Sequence, residues 1–260
     1  MILKMNKPVL IIALLICGAL DAQSRAIDDL DNNSIEDERP RPRNPAPDGF
    51  RKVSMPPPEI MQKLGTPVEI VCEIGGSPAP TIQWVAGHES LPEMDSFEMN
   101  TLIESSPSEI VNVRSVHVID HILSEPKVFT CVGRSGSKIV YGSTTVYPPT
   151  ESKELIHFGN KALARPRKPI ITFNHVTHID FIGTNVVLPC KAYARPHAEL
   201  FWMGKEGLIT EQSNRFKILD SGELLISNLK WEDMGTYKCV ARNSVGKAVA
   251  ETFVYPLLRD

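Results

Sequence analysis

From residue 59 onward, hydrophobic and polar positions alternate along the chain in short runs. Over residues 68–74, Val68, Ile70, Cys72 and Ile74 share one parity, while Glu69 and Glu73 fall on the other. Successive side chains of a strand point to opposite faces, so this pattern predicts a half-buried strand. Runs of the same kind cover 81–86, 110–119, 128–133 and 139–146, then 185–191, 199–203, 223–227, 236–241 and 247–254. Turn formers separate them, among them Gly75-Gly76-Ser77-Pro78, Asp220-Ser221-Gly222 and Asn243-Ser244-Val245-Gly246. No stretch shows a convincing three-turn helical period. Many short strands with such punctuation predict an all-β sandwich or barrel.

Before residue 59 the pattern breaks. Residues 9–20 are an apolar run, too short to span a bilayer, which needs about 20 residues. Lys4 and Lys7 precede it, and Cys17, Gly18, Ala19 and Ala22 follow or close it. A basic head, an apolar middle and small residues at the end predict a secretory signal peptide over 1–22. Residues 28–38 then hold six acids and no base, and residues 39–58 hold seven prolines and four arginines. Such a composition buries too little apolar surface to offset ordering entropy, which predicts a disordered arm over 23–58. Asn32-Asn33-Ser34 in that arm makes Asn32 a candidate glycosylation site.

Cys17 leaves with the signal, so Cys72, Cys131, Cys190 and Cys239 remain. An even number in an oxidising compartment predicts two disulfides, with three pairings open. The formal charge of −3, from 28 basic and 31 acidic residues, argues against a nucleic-acid-binding protein. Residues 253–260 carry no hydrophobic tail of the kind a lipid-anchor signal requires. The expectation is a freely secreted product with no membrane span.

The chain repeats itself. Cys72 and Trp84 are 12 residues apart, as are Cys190 and Trp202; Pro78 and Pro196 each sit six past the cysteine. Ile82 and Leu200 each precede the tryptophan by two, so a shift of 118 superposes all four positions. One further cysteine follows each block. The division expected is a domain over 59–147, a linker over 148–168, a second domain over 169–256 and a tail over 257–260.

Cysteine, tryptophan and cysteine at this spacing on short alternating strands resemble the immunoglobulin fold, specifically its intermediate type. The second repeat is the stronger match: Asp233-Met234-Gly235-Thr236-Tyr237-Lys238-Cys239 is similar to the family's run before its second cysteine. The resemblance implies two tandem sandwiches, Cys72 paired with Cys131 and Cys190 with Cys239, and Trp84 and Trp202 packed on the bridges. It further implies a Tyr237 hydroxyl bonded to backbone upstream, and an ion pair of Asp233 with Arg215. In the first repeat Phe129 replaces the tyrosine and Lys127 the glycine, which implies a different turn before that strand.

A narrower resemblance is carried by the acidic arm, by Trp231-Glu232-Asp233-Met234-Gly235, by Val254-Tyr255-Pro256, by residues 117–121 and by Cys131-Val132-Gly133-Arg134. These look like a family of insect secreted two-domain immunoglobulin proteins that bind insulin-like peptides. That resemblance implies sequestration of a peptide hormone, antagonism of insulin-receptor signalling and a developmental or neural role. The alternative is a secreted adhesion or cell-surface interaction protein acting through the same domains.

No motif for nucleophilic, metal-dependent or phosphate-transfer catalysis occurs, so neither an enzyme nor a cofactor is expected. His117, Asp120 and His121 are a tempting metal set, but strand positions four apart lie about 13 Å apart, too far for one zinc; His117 and His121 are expected as surface or edge histidines. His175 and His178, three apart on a strand, are expected on opposite faces. Trp231 is expected at the sandwich end, either packed there or free for contact. Arg165-Pro166-Arg167-Lys168 reads as bare linker in preference to a processing site or an anionic-glycan contact, and Pro169 after it would hinder cleavage. Leu155, Ile156 and Phe158 are apolar in an otherwise polar linker, which suggests docking onto the domains or onto a ligand. Phe158, Phe173 and Phe181 are the candidate anchors for a bound peptide, although Phe173 and Phe181 serve equally as core.

Overall fold

The structure, a computed structural model, describes residues 50–87, 109–210 and 214–258. The expected signal peptide, the expected arm up to residue 49 and the candidate site Asn32 lie outside the described residues. The first sandwich contains β1 (Arg51–Ser54), β2 (Glu59–Met61), β3 (Val68–Gly76), β4 (Thr81–Ala86), β5 (Ile110–Ile119), β6 (Lys127–Ser135) and β7 (Lys138–Tyr147). A helix, α1 (Lys153–Leu163), follows. The second sandwich begins with β8 (Arg167–Phe181), β9 (Val186–Leu188), β10 (Cys190–Arg195) and β11 (Glu199–Gly204). It continues through β12 (Gly207–Leu208), β13 (Phe216–Ile218) and β14 (Leu224–Ile226) to β15 (Gly235–Arg242) and β16 (Lys247–Leu257).

The alternation read in β3 is realised: Val68, Ile70, Cys72 and Ile74 are buried, and Glu69 is exposed. Cys72 is bridged to Cys131 and Cys190 to Cys239, each pair with Cα atoms 6.4 Å apart. Trp84 packs on the first bridge and donates from Nε1 to Ser115 Oγ at 3.0 Å. Trp202, fully buried in the second core, donates to the Gly222 carbonyl at 2.9 Å. The prolines of the repeat correspond too, since Ser77-Pro78 and Arg195-Pro196 are both cis.

Three expectations need correction. Residues 50–58, expected in the disordered arm, are ordered: β1 pairs antiparallel with β3, and Phe50 and Met55 pack against the Cys72–Cys131 bridge. Backbone pairing to an open sheet edge orders a segment whose composition alone would not. The linker contains an 11-residue helix where none was expected. Ser152 caps it by accepting from the Leu155 N–H, Glu154 lies in its first turn and Lys161 in its last, which suits the helix dipole. Its inward positions, Ile156, Gly159 and Leu163, are so few that the apolar stripe is hard to see in the sequence. The second sandwich also extends past its expected limits, from Arg167 to Leu257, which pairs with Phe181.

The helix docks on the first sandwich. Gly159 lies against Ile122 and Leu64, with room for no side chain, and Asn160 Oδ1 accepts from the Ile122 N–H at 2.8 Å. Gln62 completes the turn that Phe129 leaves without a tyrosine. Its amide donates to the His121 carbonyl at 2.9 Å and accepts from the Leu123 N–H at 2.8 Å.

The two sandwiches share one sheet. Its strand order is β1-β3-β5-β8-β16-β15-β11-β12, with β10 paired to β8 as a branch. The join is the antiparallel pairing of β5 with β8, from Ile110 opposite Ile179 to Ser115 opposite Phe173. Val111, His178 and Val254 are cross-strand partners, all buried. Directly paired residues project to one face, so both cores lie on the same side of this sheet. The other side is one outer face running across both domains.

A polar tie closes the opposite end of the join. Asp120 accepts from the Tyr193 hydroxyl and pairs with Arg195 at 2.8 Å. The Tyr193 hydrogen bond holds the Asp120 carboxyl below its usual range, with Arg195 adding to it against the cost of burial. A carboxylate with a depressed pKa stabilises the fold above the unfolded value and loses that contribution as pH falls through the folded one. Asp120→Asn should therefore cost no more than about 1 kcal/mol at pH 7, because Arg195 is half exposed. The gap between wild type and variant should close below about pH 4, as checked by urea unfolding across pH.

Candidate functional site

The outer face is unusually apolar for an exposed sheet surface. Cross-strand pairing places Ile110, Ile179 and Tyr255 in one row, and Asn112, Thr177, Phe253 and Thr236 in the next. Phe201, Val240 and Val249 form a third row. Ile110 is 42% exposed, Phe253 42%, Tyr255 36% and Val249 49%. The C-terminal end of β16 is apolar on both faces: Val254 and Pro256 point inward while Phe253 and Tyr255 point out, and only further back do the charged Lys247 and Glu251 join Val249 on the outer face. A solvated strand would carry polar residues at the outward positions.

Trp231 extends this face. Its ring meets Tyr255 edge-on at 6.1 Å and is 49% exposed. It sits in a 3-10 turn, Trp231–Asp233, before β15. That turn is fixed from beneath by the family motif. The Tyr237 hydroxyl donates to the Asp233 carbonyl at 3.0 Å, and burial pushes its phenol well above the usual range. The Asp233 carboxylate is buried, accepts from the Lys230 N–H at 2.7 Å and is paired with Arg215. The motif thereby presents an indole to solvent.

Ion pairs lie among the rows. Lys238 meets Glu251 at 2.7 Å in the row between Phe253 and Val249, and the Arg242 guanidinium covers the Phe201 ring at 4.8 Å while reaching Glu199 at 3.8 Å. The cluster of Ile110, Ile179, Tyr255, Phe253 and Trp231, bordered by the Lys238–Glu251 pair, has the layout of a protein-binding patch.

The three phenylalanines proposed as anchors are not brought together. Phe181 lies on the outer face, two positions beyond Ile179, and is half-buried. Phe173 pairs with Ser115 on the core side of the sheet, under the Lys191 ammonium. Phe158 is exposed on α1, edge-on to His157. Trp231, expected either packed or free for contact, lies against Tyr255 and is half exposed, whereas Phe253 and Tyr255 are not singled out by the sequence. The apolar residues at both parities of β16 were the available signal.

The histidines also differ from expectation. His117 packs between the rings of Trp84, at 5.5 Å, and Phe129, at 5.1 Å, while Asp120 turns to Tyr193 and Arg195. His175 and His178 share a face and approach to 3.3 Å between Nδ1 atoms, contrary to the alternation of a regular strand. The cause is a bulge in β8: His175 pairs with Val113 and Thr177 with Asn112, so Val176 is extra. Burial pushes His178 down to about 4 against the pull of Asp180, and drives His175 down as well, with His178 adding to it. Among the described residues, Glu109, His178 and Asp180 could together hold a metal ion.

Comparison with known proteins places this architecture. The neural/ectodermal development factor IMP-L2 of Drosophila melanogaster is 46% identical over 265 residues, covering 99% of this chain and 98% of that protein. The chain belongs to the IMP-L2 family. The crystal structure of neural ectodermal development factor IMP-L2 matches with a TM-score of 0.70 and 47% identity, covering 81% of this chain and 96% of that one. The Zwei Ig domain protein zig-4 of Caenorhabditis elegans is 28% identical over 196 residues, 74% of each chain. An immunoglobulin domain model matches residues 168–243. Both sandwiches of this IMP-L2 relative are immunoglobulin-like, and the family is one of binding and adhesion proteins, not of enzymes. No helix among the described residues is long and apolar enough to cross a membrane.

Proposed function

We propose that this chain is a secreted protein that sequesters an insulin-like peptide on the outer face of its shared sheet and so antagonises insulin-receptor signalling. The single observation that carries the reading is the exposed apolar row of Ile110, Ile179 and Tyr255 across the domain join, extended by Phe253 and by the Trp231 ring against Tyr255. Support for secretion comes from the apolar leader with its basic head and from two disulfides, which persist in oxidising compartments. Support for the hormone class comes from the resemblance to insect binders of insulin-like peptides and from the IMP-L2 relationship.

The mechanism is mass action. An insulin-like peptide presents an apolar surface to its receptor, and a binder that covers it lowers the free hormone without chemistry. Aromatic anchors supply most of the affinity of such a contact, because each covers a large area with few rotors to immobilise. Continuity of the sheet matters, since a face built from two pre-aligned domains avoids the entropy of aligning them on binding.

Calorimetric titration with an insulin-like peptide should show saturable heat at sub-micromolar concentration and competition with the receptor. Phe253→Asp and Tyr255→Ala should each weaken binding at least tenfold, about 1.4 kcal/mol, with unchanged circular dichroism. Absence of heat and of receptor competition at micromolar protein would sink the hormone reading. Self-association in sedimentation, abolished by Phe253→Asp, would point instead to the adhesion alternative.

A further inference from the structure

We propose that Glu109, His178 and Asp180 form a zinc-type cation site that pins the two immunoglobulin domains together. The three side chains come from both sides of the join. Glu109 immediately precedes β5 in the first domain, and His178 and Asp180 are alternate residues on β8 of the second. The register that pairs Ile110 with Ile179 brings Glu109 level with Asp180 on the core side of the sheet.

The donor geometry suits one ion. One donor atom from each residue lies within 4.8 Å of the other two. His178 Nε2 stands 3.5 Å from Glu109 Oε2. Two ligands of a tetrahedral zinc, each about 2.1 Å from the metal, stand about 3.4 Å apart. Imidazole nitrogen with carboxylate oxygens is a donor set zinc accepts, leaving one position for water.

A second observation is the histidine itself. His178 is 1% exposed, and its Nε2 has no hydrogen-bond partner among the described residues. A buried imidazole nitrogen left so carries a desolvation cost that a metal bond would remove. The opposite nitrogen is already engaged, 3.3 Å from His175 Nδ1. With His178 donating through Nδ1–H, its Nε2 lone pair is directed at the carboxylates, the outer-sphere arrangement common to metal-bound histidines. Asp180 is held in place by the Phe181 N–H, which donates to its Oδ1 at 2.7 Å. The bulge at Val176 sets this geometry, since it brings His175 onto the face of His178.

The test uses the full secreted chain, stripped with chelator and titrated with Zn²⁺. One zinc per chain is expected, with a rise in melting temperature that grows with zinc concentration. Glu109→Gln and His178→Gln should each weaken zinc binding at least tenfold. Cobalt in place of zinc should give the visible absorption of a low-coordinate site in the wild type, a readout that survives if a variant fails to fold. Zinc uptake equal in wild type and in folded Glu109→Gln would overturn the proposal by assigning the metal to exposed histidines. So would the absence of both a melting shift and a cobalt spectrum, or a response to Ca²⁺ alone.

Discussion

Replacing Cys190 and Cys239 together by alanine should lower the stability of the second domain by about 2–5 kcal/mol. The bridge spans 49 residues of sequence, so its loss releases a long loop in the unfolded chain. It also empties the centre of a core. Cys190 and Cys239 pack among Trp202, Leu188, Leu224, Ile226 and Tyr237, nearly all inaccessible to solvent. Alanine leaves a void beside an indole that cannot collapse into it, because Trp202 is tied to the Gly222 carbonyl. Urea unfolding followed by far-ultraviolet circular dichroism checks the prediction. An unchanged midpoint would show that the bridge contributes nothing beyond the packing of its neighbours.

Arg215→Met should cost about 3–5 kcal/mol, comparable to the disulfide, although only one side chain changes. The Asp233 carboxylate is nearly inaccessible, and Arg215 is its cationic partner. Removing the guanidinium strands a charge in the interior, while the aspartate cannot swing to water without breaking its bond from the Lys230 N–H. Arg215 also donates to the carbonyls of Ser227 and Asn228, so those groups lose a partner in the same step. The double variant Arg215→Met with Asp233→Leu should recover much of the loss, since no charge then remains buried. A double variant no more stable than Arg215→Met would exclude the stranded charge as the cause. Because this pair supports the turn that carries Trp231, the proposed binding of an insulin-like peptide should weaken with Arg215→Met in protein that remains folded.

The first domain meets the same need by other means. It has Phe129 in place of the tyrosine, and its turn is held by Gln62 and by Asn160 from α1. The helix between the domains therefore belongs structurally to the first one. Neither Gln62 nor Asn160 could be singled out from the chain, because each is a common polar residue whose role depends on a contact 38 to 61 positions away. The phenylalanines chosen as anchors illustrate the same limit. Hydrophobicity marks Phe173 and Phe181 alike, but the bulge and the pairing of β8 put them on opposite faces.

Periodicity and the repeated cysteine, proline and tryptophan spacing were enough to establish an all-β chain with an internal repeat, and the family resemblance to make the repeats two sandwiches and to pair their thiols. These features are local: side-chain parity along a strand and fixed spacings within each domain are written in consecutive residues. The shared sheet, its apolar outer face and the meeting of Glu109 with His178 and Asp180 were decided only in three dimensions. Strand pairing is made by backbone groups that every residue carries, so no side-chain pattern announces that β5 will accept β8 as its neighbour. Once that edge is joined, one extra residue at Val176 is sufficient to place two histidines on a single face.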